Sequence, residues 1–521
     1  MNDFPWLTVL WAVPLVGALA VAFGPKGALA KQTALGFSLV TLAVGIITAT
    51  QFDRDGSGFQ LNEKHTWIDA FGVHYALGLD GLGLLLVLLT VVLVPIVLVA
   101  AWNDSPDDEC KPWFAWALAL EALSLGVFLA TDVFLFYVVF EATLIPAYFL
   151  IGGFGRAKRS AAALKFLMFQ LGGGLVLLGS VIGLYVVSAQ EGSPSYLFDD
   201  LQQLDISTSA GRWLFAGFFI AFAAKAPLFP VHTWLADTTE QATPPTSVLL
   251  VCVLDKIGTF GMLRFCLGLF PEASEWATPL VVVLALISIV YGAFVAIGQD
   301  DILRLIGLTS LSHFGFITLG IFVFTSQGAS GSILYMVNHG IATAALFLIA
   351  GFVIKRRGTT LISRMGGLEK VTPVAAGLFL VAGLATAGLP GLSQFVSEIL
   401  VLISAFDYRW YVGAIAVTGI VLAAIYMLWA YQKMFTGPSS DSLQAEVDGA
   451  ASGGGGEGVA DLGRRELGVL VPLMLALVLF GFYPAPLLDV ANPFTEQLLE
   501  HTGVHDDGPR VPAEASSEGD H

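Results

Sequence analysis

Residues Trp213–Leu235 read WLFAGFFIAFAAKAPLFPVHTWL. The run is long enough to cross a bilayer, which takes about 20 apolar residues. It also carries a lysine near its centre and two prolines behind it. Pro227 and Pro230 remove two backbone donors and free the carbonyls that precede them. Freed carbonyls at membrane depth are tolerated only where they are buried in protein or face water. The stretch therefore reads as a discontinuous transmembrane helix with Lys225 at its break, and the rest of the chain has to be a bundle able to enclose that break.

The composition agrees. Of 521 residues, 56% are hydrophobic and 12% charged, and the mean hydropathy is +0.78. Soluble domains run at about 25% charged, so a soluble enzyme, a disordered chain, a coiled coil and a single-anchor protein are excluded. Apolar runs fall at 6–24, 32–50, 79–101, 113–130, 132–151, 162–187, 213–235, 246–268, 279–297, 302–324, 331–354, 374–405, 411–434 and 467–487. About 14 spans of about 20 residues occupy about 280 residues, a little over half the chain. The 57 glycines suit close helix packing in lipid. The expected fold is an all-α polytopic membrane protein with about 14 transmembrane helices.

The run at 374–405 is too long for one straight crossing and contains Gly388-Leu389-Pro390-Gly391, a second break. Breaks in the seventh and twelfth spans correspond if spans 4–8 and 9–13 are inverted repeats, and paired broken helices point to an ion pathway. The chain then divides into an N-terminal three-helix segment (1–112), a first five-helix repeat (113–268) and a second (279–434). A flexible cytoplasmic linker (437–466), a last transmembrane helix (467–487) and a polar C-terminal tail (488–521) follow.

The net charge is −17, and Gly437–His521 holds 14 acidic against 3 basic residues. That acidity solvates a loop and a tail and argues against nucleic-acid binding. Loops after odd-numbered spans carry 15 basic residues and the opposite loops 6. This bias puts the odd loops in the cytoplasm and both termini outside a bacterial cytoplasmic membrane. Met1-Asn2-Asp3-Phe4 lacks a basic n-region, so the first apolar run reads as a retained span. Cys110, Cys252 and Cys266 form no CxxC or ligand cluster, which leaves no zinc or iron–sulfur site. No GxGxxG stands in a strand–helix setting. No cofactor or metal is therefore expected in this chain.

The charges inside the spans carry the functional signal. Glu121, Glu141, Lys225, Lys256, His313 and His339 are central in their spans, and Glu398 follows the break at Pro390. A central charged residue costs about 2.5–3.5 kcal/mol on the insertion scale, so four of them cost on the order of 10 kcal/mol. Burial makes a carboxyl hold its proton more tightly and a lysine less tightly, so a Glu–Lys pair has nearly balanced charged and neutral states. Histidine, which titrates near neutrality, can relay between such pairs. Proton transfer along the midplane is the chemistry that suits this set. Each residue also has a structural alternative: Glu141, Lys225 and Lys256 as helix-tying ion pairs, His313 and His339 as hydrogen-bonded core histidines, and Glu121 as a packing carboxyl. Lys165 reads as a snorkelling lysine. Asp132, Asp237, Asp300 and Asp301 read as helix caps. Asp255 points to a different helix face from its neighbour Lys256.

Five stretches resemble one family: Phe136–Pro146 around Glu141, Lys225–Leu235, Asp255–Gly261, Asn338-His339-Gly340 and Ser397-Glu398. It comprises the antiporter-like proton-pumping subunits of respiratory complex I, shared with Mrp-type cation/proton antiporters. The likeness covers roughly residues 75–435. Glu398 resembles the M-type branch, where the L and N types carry lysine. The resemblance implies Glu141–Lys225 as a paired switch, Lys256 as central relay and Glu398 as the exit-side or coupling carboxylate. Glu121, His232, His313 and His339 would support the water chain. FMN, iron–sulfur clusters and quinone would belong to partner subunits, among them L- and N-type chains, with lipids around them. Ala236 replaces the proline the family usually has after His-x-Trp-Leu, and Asp255 replaces a commonly apolar residue. An Mrp-type Na+/H+ antiporter subunit and the equivalent chain of a membrane-bound hydrogenase are the alternatives.

Overall fold

The computed structural model describes residues 4–24, 26–56, 58–107, 109–192, 194–439 and 459–504. Two helices, α1 (Trp6–Phe23) and α2 (Ala28–Gln51), lead into an antiparallel hairpin, β1 (Gln60–Ile68) and β2 (Val73–Leu79). Then come α3 (Gly81–Ala100), α4 (Lys111–Leu129), α5 (Val133–Phe154) and α6 (Arg159–Gln190). The first broken span is α7 (Thr208–Lys225) and α8 (Thr233–Gln241). It is followed by α9 (Pro244–Leu267), α10 (Pro271–Ile297), α11 (Ile302–Phe322) and α12 (Ser326–Arg357). The second broken span is α13 (Pro373–Thr386) and α14 (Ser393–Tyr408). The last helices are α15 (Trp410–Phe435), α16 (Arg464–Phe482) and α17 (Ala485–His501).

Among the described residues, twelve helices are long and apolar enough to cross a membrane. The runs at 213–235 and 374–405 are each divided into two shorter helices, α7/α8 and α13/α14. Their divisions follow the proline chemistry. Helix stops at Lys225 before Pro227 and Pro230 and resumes at Thr233; it stops at Thr386 before Gly388 and Pro390 and resumes at Ser393. The freed carbonyls are satisfied from neighbouring side chains. Ala224 O accepts from Gln170 Nε2 (3.1 Å) and Trp234 Nε1 (3.0 Å). Thr386 O accepts from Gln394 Nε2 (3.1 Å). Asn338 Nδ2 donates to Ser393 O (2.8 Å), tying α12 to the start of α14.

The centre of the molecule is α9, α11 and α12, whose apolar stretches are buried almost throughout. Around it α2, α6, α10 and α15 expose large apolar side chains such as Val40, Met168, Phe294 and Val421. Such a surface suits hydrocarbon, since a helix pairs its backbone groups internally. Helix α6 approaches α7 through glycine: a Cβ on Gly173 would sit 3.3 Å from Ala221 Cα, the small-residue contact expected in lipid.

Four expectations change. The hairpin Gln60–Leu79 interrupts the otherwise helical N-terminal segment; Gly72, at φ +63°, makes its turn. The segment 488–521 is not polar tail throughout. Through His501 it is the amphipathic helix α17, which buries Val490, Ala491, Leu498 and Leu499. Its apolar residues recur at helical spacing within a polar stretch too weak for a span. Asp237 and Asp300 are not caps: Asp237 pairs with Lys165 and Arg304, and Asp300 accepts from Ser363. Asp132 and Asp301 do cap α5 and α11. Most of the 437–466 linker, residues 440–458, lies outside the described residues, as do residues after 504.

Candidate functional site: a buried line of titratable groups

Lys256 is fully buried on α9. Its Nζ is hydrogen-bonded to His339 Nδ1 at 2.7 Å and lies 4.4 Å from the centre of the Phe314 ring. The other ring nitrogen of His339, Nε2, meets Ser310 Oγ at 3.2 Å. The His339 and His313 rings are 5.2 Å apart between centroids. His313 Nδ1 meets Tyr335 Oη at 2.8 Å, and Tyr335 Oη donates to Glu398 Oε1 at 2.9 Å. Gln394 Nε2 donates to the same Glu398 oxygen (3.1 Å) and lies 3.2 Å from His313 Nδ1. Lys256, His339, His313, Tyr335 and Glu398 thus form one line across α9, α11, α12 and α14, every member 2% exposed or less.

The second break makes room for the Glu398 end of the line. Gly388 has φ +71°, a conformation that glycine adopts without strain. A Cβ there would overlap Glu398 Oε2, so the carboxylate is seated on the bare backbone of the break. Glu141 is held in the same way: its Oε1 lies where a Cβ on Gly174 would be.

Lys225 is fully buried at the end of α7. Its Nζ donates to Thr143 Oγ1 (2.9 Å) and lies 4.5 Å from the centre of the Phe140 ring. Thr143 stands two residues after Glu141 in α5. Glu141 and Lys225 are within electrostatic range of each other, yet Glu141 Oε1 has no hydrogen-bond partner. No ion pair within 4.0 Å joins the two. The acidic partners in such pairs include Asp80, Asp104, Asp107, Asp237, Glu240, Asp301 and Glu466.

Glu121 stands apart. It is 1% exposed and neither carboxylate oxygen has a hydrogen-bond partner. His232 lies in the first break, its ring 5.8 Å from Phe229 and 5.4 Å from Tyr291 between centroids, with Nδ1 unpartnered. Neither is hydrogen-bonded into the line. The structure adds Tyr335, Gln394 and Ser310, which sequence reasoning missed. Spacing held a signal: Tyr335 precedes His339 by four residues and Gln394 precedes Glu398 by four, so each pair shares a helix face. Lys165 is partly exposed and pairs with Asp237 at 2.6 Å, and Arg304 joins Asp237 (2.7 Å) and Glu240 (2.8 Å). These charges tie α6, α8 and α11 together at one end of the bundle. Among the described residues, no group of three or more His, Cys, Asp or Glu could hold a metal ion.

The family model described as NADH:quinone oxidoreductase/Mrp antiporter, TM, matches residues 130–423. NADH-quinone oxidoreductase subunit M of Mycobacterium tuberculosis is 48% identical over 98% of this chain and 97% of that protein. Subunit M of Rhodobacter capsulatus is 35% identical over 95% of this chain and 96% of that protein. Among solved structures, a chain of respiratory complex I from Thermus thermophilus with bound NADH is 32% identical, with a TM-score of 0.85, covering 96% of this chain and all of that one. A chain of the Mrp complex from Dietzia shares the fold, with a TM-score of 0.81 at 23% identity over 95% of this chain and 98% of that one. The chain belongs to the NADH-quinone oxidoreductase subunit M family, within the NADH:quinone oxidoreductase/Mrp antiporter membrane proteins.

Proposed function

We propose that the chain is a proton-translocating membrane-arm subunit of a respiratory NADH:quinone oxidoreductase, without a redox centre of its own. The observation that carries this reading is the buried line from Lys256 through His339, His313 and Tyr335 to Glu398. Each member can take up or release a proton. The Tyr335 hydroxyl is both donor and acceptor, so it can receive a proton from His313 as it passes its own to Glu398. Gln394, which donates to Glu398 and touches His313, holds them at that spacing. Glu141 and Lys225 form the switch at the other end: a proton on Lys225 is favoured when Glu141 is ionised, and losing either charge shifts the balance of the other.

NADH oxidation, FMN, iron–sulfur clusters and quinone chemistry belong on this reading to partner subunits, with L- and N-type chains as membrane neighbours. Spans 4–8 and 9–13 form two inverted repeats, supported by a broken helix in the corresponding place of each. The chain lies in a bacterial cytoplasmic membrane with both termini outside, supported by the basic bias of the odd loops.

The test is Lys256→Ala in the assembled complex reconstituted into vesicles. NADH-driven proton uptake is expected to fall while NADH oxidation by an artificial acceptor is retained. An unchanged proton-to-electron ratio overturns the reading. So does purification in a flavin-free assembly that exchanges sodium for protons, the antiporter outcome.

A further inference from the structure

Asp255 has no place in the line described above. It is 0% exposed, and neither carboxylate oxygen has a hydrogen-bond partner. Buried polar groups are almost always paired, and each exception calls for an explanation. The geometry of α9 supplies one. At Gly258 the helix meets the end of α7 backbone to backbone: a Cβ there would lie 2.5 Å from Phe222 O and 2.5 Å from Ala226 Cβ. Asp255 precedes Gly258 by three residues, and Gly258 N donates to Asp255 O at 3.2 Å, so the two lie on one helix face. That face looks onto Phe222 and Ala226, the backbone that flanks Lys225. Lys256, rotated by about 100°, faces the other way and reaches His339 and Phe314. A widened turn precedes the pair, with Asp255 N donating to Leu250 O at 2.9 Å; such turns recur at functional sites. Asp255 is within electrostatic range of both Lys225 and Lys256.

We propose that Asp255 is the proton carrier that joins Lys225 to Lys256 through α9. Neither lysine nitrogen is hydrogen-bonded to the carboxylate, so each transfer runs through an intervening water: the Lys225 ammonium gives a proton toward the Asp255 carboxylate, leaving an amine and a neutral acid. The acid then gives its O–H proton to the Lys256 amine, restoring the carboxylate and leaving an ammonium against His339. No electrons move, and the net charge of the three groups is unchanged. The different faces of residues 255 and 256 put the carboxylate on the side of α9 that meets the end of α7 and Lys256 on the side of His339.

The inference rests on the proton-translocation reading, and the experiment separates the two. Asp255→Asn, Asp255→Glu, Asp255→Leu and Lys225→Ala are compared in the reconstituted complex. Asp255→Asn and Asp255→Leu are expected to lower proton uptake per NADH at least about twofold, a modest demand beside the usual effect of removing a proton-transfer group. Asp255→Glu restores it. Full pumping by an assembled Asn or Leu variant, with Lys225→Ala impaired, overturns the role of Asp255 alone. Equal loss in Asn and Glu variants also overturns it, because the site then needs shape and not a titrating group. Full pumping by Lys225→Ala overturns the underlying reading. Infrared difference spectra on energising the wild-type complex give a measurement independent of assembly. A protonated-aspartate band that shifts in Asp255→Glu supports the carrier, and its absence overturns it.

Discussion

Tyr335 Oη donates to Glu398 Oε1 at 2.9 Å while standing 2.8 Å from His313 Nδ1. A single hydroxyl therefore connects a histidine on α11 to a carboxylate on α14. Tyr335→Phe keeps the ring and removes only that bridge. NADH-driven proton uptake is expected to fall about tenfold or more with assembly intact, a smaller loss than the ~100-fold usual for a missing proton-transfer group. Vesicle proton uptake beside a native-gel check of assembly measures both.

Glu398 is seated over Gly388. Gly388→Ala puts a methyl group where Glu398 Oε2 lies and forces a side chain into φ +71°. The conformational part alone costs about 1 kcal/mol, and the displaced carboxylate loses its register with Tyr335. Both a lower melting temperature and weaker pumping are expected. Gly174→Ala should displace Glu141 without the conformational cost, because Gly174 lies inside helix α6. Its melting temperature should fall less than that of Gly388→Ala.

Arg264 and Asp80 are a buried pair at 2.6 Å, with the guanidinium 4.6 Å from Phe59 and 5.0 Å from Phe260. Removing one partner from a buried pair costs about 3–5 kcal/mol, whereas removing both is often neutral. Arg264→Met is therefore expected to destabilise the purified chain more than the double variant Arg264→Met/Asp80→Asn. Thermal unfolding in detergent reads the difference, and a double variant less stable than the single one would count against this account.

Asp132 joins the hairpin to α5: its carboxylate accepts from His74 N (2.8 Å), Phe134 N and Leu135 N (both 2.9 Å). Loss of a helix cap costs about 0.5–2 kcal/mol, and the stranded His74 N–H adds to it. Asp132→Ala should lie at or above the top of that range and Asp132→Asn below it, as measured by thermal unfolding of the same preparation.

Much of the architecture was legible along the chain. Apolar length marked the spans, because a helix must cover the hydrocarbon thickness whatever it packs against. Pro227, Pro230 and Pro390 marked the breaks, because a missing N–H is a local fact. Lys225, Lys256, His339 and Glu398 stood out because an ionisable group in lipid is expensive wherever its partner lies. The hairpin Gln60–Leu79 and helix α17 were not legible in this way: neither is long and apolar enough to announce itself, and each is anchored by residues distant in sequence, the hairpin by Leu7 and Asp132 and α17 by Ser330.

Partnership was decided only in three dimensions. Nothing in the order of residues says that Lys256 bonds His339, that Tyr335 bridges His313 to Glu398, or that Lys225 reaches Thr143 and not Glu141. These contacts join positions 22 to 83 residues apart, and they depend on how α5, α7, α9, α11, α12 and α14 rotate and approach one another. Depth in the membrane is written in each segment separately, because hydropathy and proline act locally. Which buried group faces which is a property of the packed bundle, because a turn of about 100° per residue puts two neighbours such as Asp255 and Lys256 on different faces of one helix.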